Sequence, residues 1–141
     1  MGILTDAALP TGTDRVKAAI DLYDPQGNYS HIINIQGDLP TLDSALVRHV
    51  LDPFKDPLVD IATLATPITD SHELTDRNVV KIALSIEEKA SIGRALYFSR
   101  NPIPSGPGIH YHHIGLYAYT RDSLNRFIDF PVNPLEAREG L

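Results

Sequence analysis

Asp38 stands just past a β-branched run, His31-Ile32-Ile33-Asn34-Ile35, in the segment Gln36-Gly37-Asp38-Leu39-Pro40. A carboxylate there is a hard oxygen donor of the kind magnesium takes beside phosphates, and Gly37 would let a nucleotide or a metal come near the backbone. The structural alternative is an Asx turn with Gly37 at positive φ, and residue types alone favour the turn. A second group is His110-Tyr111-His112-His113. Histidines at i and i+2 share one side of a strand and could hold a transition metal. Zinc sites need about three or four ligands, and no cysteine or helical histidine pair supplies them, so a polar strand edge is the simpler reading. A third group, Thr11-Gly12-Thr13-Asp14-Arg15, precedes an amphipathic run. The free N–H groups of a helix start suit an anionic or polar ligand, while plain capping by Thr13 with an exposed Arg15 accounts for the same residues.

These residues need elements to hold them. Val16, Ala19, Ile20 and Tyr23 fall at helical spacing, which predicts a helix over Asp14 to Tyr23 with Thr13 as N-cap and Pro25-Gln26-Gly27 as its stop. His31 to Ile35 reads as a strand covered on both faces, ending at Gly37-Asp38. Leu42, Leu46, Val47, Val50 and Leu51 predict a second helix stopped by Asp52-Pro53, and Val59 to Thr66 another buried strand. This α-β-α-β order favours parallel strands with helical crossovers, and ligands then bind beyond the carboxyl ends of the strands, where Gln36, Gly37 and Asp38 fall. Past Pro67 the pattern changes. Val79 to Leu84 and Ala95 to Phe98 read as strands of an antiparallel insertion, Asn101 to Gly108 as a loop, His113 to Tyr119 as a strand and Ser123 to Phe130 as a helix. His113 and Tyr117 then share one face of their strand. Asn133-Pro134-Leu135-Glu136 is a helix-start signature, in which Glu136 would complete a capping box with Asn133.

Bulk composition narrows the function classes. The chain has 141 residues, 43% hydrophobic and 21% charged, which fits one globular domain. Its net charge of -6 argues against nucleic acid, whose binding needs clustered Lys and Arg. The absence of cysteine excludes disulfides, thiolate zinc sites and a cysteine nucleophile, and it fits a reducing compartment such as the cytoplasm. The longest apolar runs fall far short of the roughly 20 residues of a membrane helix, so no membrane partner is expected.

The segments quoted above, with three more, resemble the 3-deoxy-manno-octulosonate cytidylyltransferases, also called CMP-Kdo synthetases. Asn34 to Pro40 resembles their strand-and-turn signature, and Thr11 to Arg15 their Ser-Gly-Thr-Asp-Arg helix start. Ala95-Leu96-Tyr97-Phe98-Ser99-Arg100 with Ile103-Pro104 resembles the sugar-side segment, and His113 to Tyr119 and Pro134-Leu135-Glu136 follow in family order. The common form has Glu where Leu39 stands, while Asp38 is retained.

The resemblance implies an α/β fold: a three-layer, mostly parallel (mixed) sheet of nucleotidyltransferase type with an antiparallel insertion. It would form a single partial domain over residues 1–141, incomplete relative to a family that extends past both ends. It also implies CMP transfer from CTP to the acid sugar Kdo, with Mg2+ as cofactor, in a cytoplasmic homodimer. Gln36 would help read cytosine, and Gly12, Thr13 and Arg15 would lie along the nucleotide. Asp38 would hold the metal, and with Arg100 it would form the catalytic pair. Kdo carries a carboxylate and hydroxyls, so its pocket needs a fixed cation and hydrogen-bonding side chains, for which Arg100, His113, Tyr117 and Glu136 are the candidates. Two other readings stay open: a noncatalytic fragment that binds sugar and dimerises, and a metal-binding domain built on the histidine cluster.

Overall fold

A computed structural model of the chain describes residues 2–37, 39 and 41–141. Asp38, the expected metal ligand, lies outside the described residues, as does Pro40. In chain order the elements are α1 (Gly12–Tyr23), β1 (His31–Ile35), α2 (Ser44–His49), β2 (Ile61–Pro67), α3 (Ser71–Thr75), β3 (Lys81–Ser85), β4 (Arg94–Ser99), β5 (Tyr111–Thr120), α4 (Arg121–Asp129) and α5 (Pro134–Glu139). They group into two compact units, each built from separated stretches: Met1–Ala62 with Gly115–Pro131, and Thr63–Ile114 with Val132–Leu141.

In the first unit, α1 starts earlier than its apolar spacing predicts, because the cap is Thr11 and not Thr13. Thr11 Oγ1 accepts from the Asp14 N–H at 3.2 Å, and the Asp14 carboxylate accepts from the Thr11 N–H at 3.1 Å. This reciprocal pair satisfies two backbone donors that would otherwise have no partner. β1 pairs antiparallel with the second half of β5, from His31 opposite Thr120 to Ile35 opposite Leu116. The core lies on this pair, where Ile32, Tyr119 and Leu124 are buried and Val16, Ile20 and Tyr117 pack against them. Asp24 closes α1: its carboxylate accepts from the N–H groups of Asn28 and Tyr29 and, at 2.9 Å, from Arg121 Nη1.

In the second unit, β3 pairs antiparallel with β4 and, through Lys81 and Ile82, with the first residues of β5. α5 carries the expected Asn133–Glu136 capping box and closes on Gly140, whose φ of 67° is the left-handed conformation glycine adopts without steric cost.

The α/β class is as expected, but the ladders are antiparallel. Thr120 donates to Asp60 O at 3.1 Å and Ile68 to His110 O at 2.8 Å, so β2 also runs opposite to β5. β1 and β2 therefore share one direction, as helical crossovers require, but each takes β5 as its partner.

Candidate functional site

The residues expected along the nucleotide fall in the first unit. Gln36 leaves the end of β1 with its side chain between two glycines: a Cβ on Gly12 would lie 3.7 Å from Gln36 Oε1, and one on Gly115 would lie 3.7 Å from its Cγ. Gln36 Nε2 donates to Asn34 Oδ1 at 3.3 Å, and Asn34 Nδ2 to Thr13 Oγ1 at 3.5 Å. These are long hydrogen bonds, yet Asn34 is only 3% exposed, so its amide must be satisfied by such neighbours. Burial raises the pKa of the Tyr119 hydroxyl, against the opposing effect of the neighbouring Thr13 hydroxyl. Gly12, Thr13 and Gln36 are thus brought together. Arg15 is engaged elsewhere, donating to the carbonyls of Ala7 and Leu9 at 3.3 and 3.4 Å and folding that segment over the helix start. Gly37 is not in the left-handed region, so the positive φ expected of a turn is not used, and a Cβ there would meet open space.

The second unit holds Arg100, His113 and Glu136. Arg100 donates from Nε to Glu139 O at 3.0 Å, from Nη1 to Arg77 O at 2.9 Å and from Nη2 to Gly140 O at 2.7 Å. His113 Nε2 lies 2.9 Å from Thr63 Oγ1. Because that hydroxyl donates to Ile114 O at 3.2 Å, it accepts from the ring, which fixes the Nε2–H tautomer. The ring meets Phe98 edge-on, with centroids 4.8 Å apart. Burial first, then the neighbouring His112, holds its pKa down at about 4, so His113 is neutral at pH 7. Glu136 is exposed and accepts from the Asn133 N–H at 3.4 Å, the capping role read from its spacing. Tyr117, in the first unit, stacks on Tyr119 with ring centroids 6.1 Å apart.

The histidine cluster divides its partners. His110 Nε2 donates to Pro104 O at 2.9 Å and His113 is on Thr63, and among the described residues no three His, Asp or Glu side chains converge as a metal site. No helix among the described residues is long and apolar enough to cross a membrane.

Asn34, Lys81 and Glu139 were not singled out from the sequence. Each had a signal: an amide inside an isoleucine-rich strand, a lysine directly after Val79-Val80, and a glutamate three residues past Glu136 on the same helical face.

The sequence model described as Cytidylyltransferase matches residues 2–140, and the chain belongs to that family. Among its relatives, 3-deoxy-manno-octulosonate cytidylyltransferase of Paramagnetospirillum magneticum is 51% identical over 99% of this chain and 56% of its own length. The same enzyme of Rhodospirillum rubrum is 49% identical over 99% of this chain and 56% of its own length. A solved structure of CMP:2-keto-3-deoxy-manno-octonic acid synthetase complexed with CTP superposes with a TM-score of 0.84 at 30% identity, covering 99% of this chain and 56% of that one. The chain therefore spans about half the length of the relatives it matches.

Proposed function

We propose that this chain takes part in transfer of CMP from CTP to Kdo, giving CMP-Kdo and pyrophosphate for lipopolysaccharide precursor synthesis. The observation that carries the reading is the match of nearly the whole chain to relatives of that activity at about half identity. In the reaction the anomeric hydroxyl of Kdo loses its proton and its oxygen bonds to the α-phosphorus of CTP, while the bond from that phosphorus to the pyrophosphate oxygen breaks. Such chemistry rests on positioning and charge neutralisation rather than on a protein nucleophile.

Gln36, held by Asn34 and flanked by Gly12, takes the cytosine side in this reading, with Thr13 and Arg15 along the nucleotide. In the same reading Arg100, His113, Tyr117 and Glu136 are assigned to the sugar, and Asp38 and Arg100 to catalysis. Magnesium is proposed at Asp38, whose carboxylate is the hard oxygen donor that ion takes beside phosphates, and bound there it would neutralise phosphate charge. A cytoplasmic homodimer is part of the same proposal.

The alternative reading is a sugar-binding and dimerising unit without turnover. The deciding experiment gives the purified chain CTP, Kdo and magnesium. Pyrophosphate release supports transfer. If none is released and CTP with magnesium leaves the melting temperature unchanged, the noncatalytic reading stands.

A further inference from the structure

Glu139 shares a helical face with Glu136 but does different work. Glu136 turns back to its own helix cap, whereas Glu139 reaches β4. Its Oε1 accepts from Ser99 Oγ at 2.9 Å and from the Tyr97 hydroxyl at 3.1 Å, and its Oε2 accepts from the Arg100 N–H at 2.9 Å. The Arg100 N–H first, then the Ser99 hydroxyl, hold this carboxyl below its ordinary pKa. The carbonyl of Arg100 is held from another direction. It accepts from Nζ of fully buried Lys81 at 3.1 Å, and that ammonium also donates to Asp76 O at 2.5 Å and Val79 O at 2.7 Å. Both backbone polar atoms of Arg100 are thus bound by charged side chains, and such bonds are roughly twice as strong as neutral ones.

The guanidinium is fixed as well. Its Nε and Nη2 donate to the carbonyls of Glu139 and Gly140, and its Nη1 to that of Arg77. A guanidinium has about five N–H donors, so one remains on each terminal nitrogen. Paired donors on the terminal nitrogens match the two oxygens of a carboxylate. Two of the three carbonyls that orient the guanidinium belong to the end of α5, which the Glu139 carboxylate ties to β4 and to the Arg100 N–H.

We propose that Glu139 is a positioning residue for Arg100. By docking the end of α5 it fixes the guanidinium plane and aims the two remaining donors at the carboxylate of the acid sugar, while Lys81 secures the same residue through its carbonyl. The proposal rests on the sugar role given to Arg100 above.

The test compares the wild-type chain with Glu139→Gln, which retains the side-chain length but puts an amide NH2, unable to accept, in place of one carboxylate oxygen. Binding of Kdo and of its methyl ester is followed by NMR, together with hydrogen exchange of the Arg100 amide. Glu139→Gln is expected to weaken Kdo by about tenfold, leave the ester within about twofold and speed exchange at Arg100. Glu139→Asp, which keeps the charge but withdraws it, is expected to act in the same direction and serves if the glutamine variant does not fold. Equal weakening of acid and ester, or unchanged exchange at Arg100, overturns the proposal. If the wild-type chain binds acid and ester equally, the sugar role of Arg100 fails and the aim assigned to its donors fails with it. The exchange measurement needs no ligand and separates that result from failure of the clamp.

Discussion

His113 is built into the packing of its unit. Its Nε2–H is committed to Thr63 and its ring to Phe98, and burial keeps it uncharged. Folding moves its pKa down from 6.5 to about 4, so the unfolded chain takes up a proton that the folded chain refuses. Stability is therefore full above pH 6.5 and falls as pH drops towards 4, by about 3 kcal/mol at the lower end. His113→Gln is expected to flatten this part of the profile, as read from urea midpoints at a series of pH values. At this scale the sequence was legible where spacing names a partner, as in the Asn133–Glu136 box. It misled at Thr-Gly-Thr, where apolar periodicity put the cap at Thr13 although Thr11 stands at the capping-box distance from Asp14. The Arg100 environment could not be read, because its partners Arg77, Glu139 and Gly140 are distant in sequence.

β5 is the strand with which β1, β2 and β3 all pair. Periodicity located it to within two residues at its start, and also located β1, β2, α2 and α4. The direction of pairing was less legible, because α-β alternation fixes the sense of the crossover strands but not which later strand pairs with them. α3 is a single turn, too short for a periodic signal, and was missed. α4 docks on the β1–β5 pair through Leu124, which is fully buried against Ile32 and Tyr119. Leu124→Ala removes that contact and leaves a cavity, and is expected to cost about 3 kcal/mol in a denaturant titration. A cost within about 0.5 kcal/mol would show that α4 is not held by this core.

The whole chain carries a net charge of -6, and its acid behaviour combines groups from both units. His113 acts in the second unit and Asp24 in the first. The Tyr29 N–H first, then the Asn28 donors and Arg121, hold Asp24 at about 2 from an ordinary 3.8, against the opposing effect of burial. A depressed carboxylate stabilises fully above the unfolded value, so this contribution is intact above pH 3.8 and is lost as pH falls through about 2. Acid unfolding should accordingly show two windows. Asp24→Asn is expected to remove the lower one and to reduce the melting temperature at pH 7 by about 6 °C, because it leaves half-buried Arg121 with only the more distant Asp21 carboxylate, 4.0 Å away. The division into two units was not legible in the sequence, since each is assembled from separated stretches and no composition shift marks the joins. Family membership was legible from ordered motifs, even though Asp38 lies outside the described residues. The central claim, that this chain takes part in CMP transfer, is tested most directly by pyrophosphate release from CTP, Kdo and magnesium. The account predicts release that requires Kdo and is reduced at least about tenfold by Arg100→Met. No release, together with a melting temperature unmoved by CTP and magnesium, would contradict it.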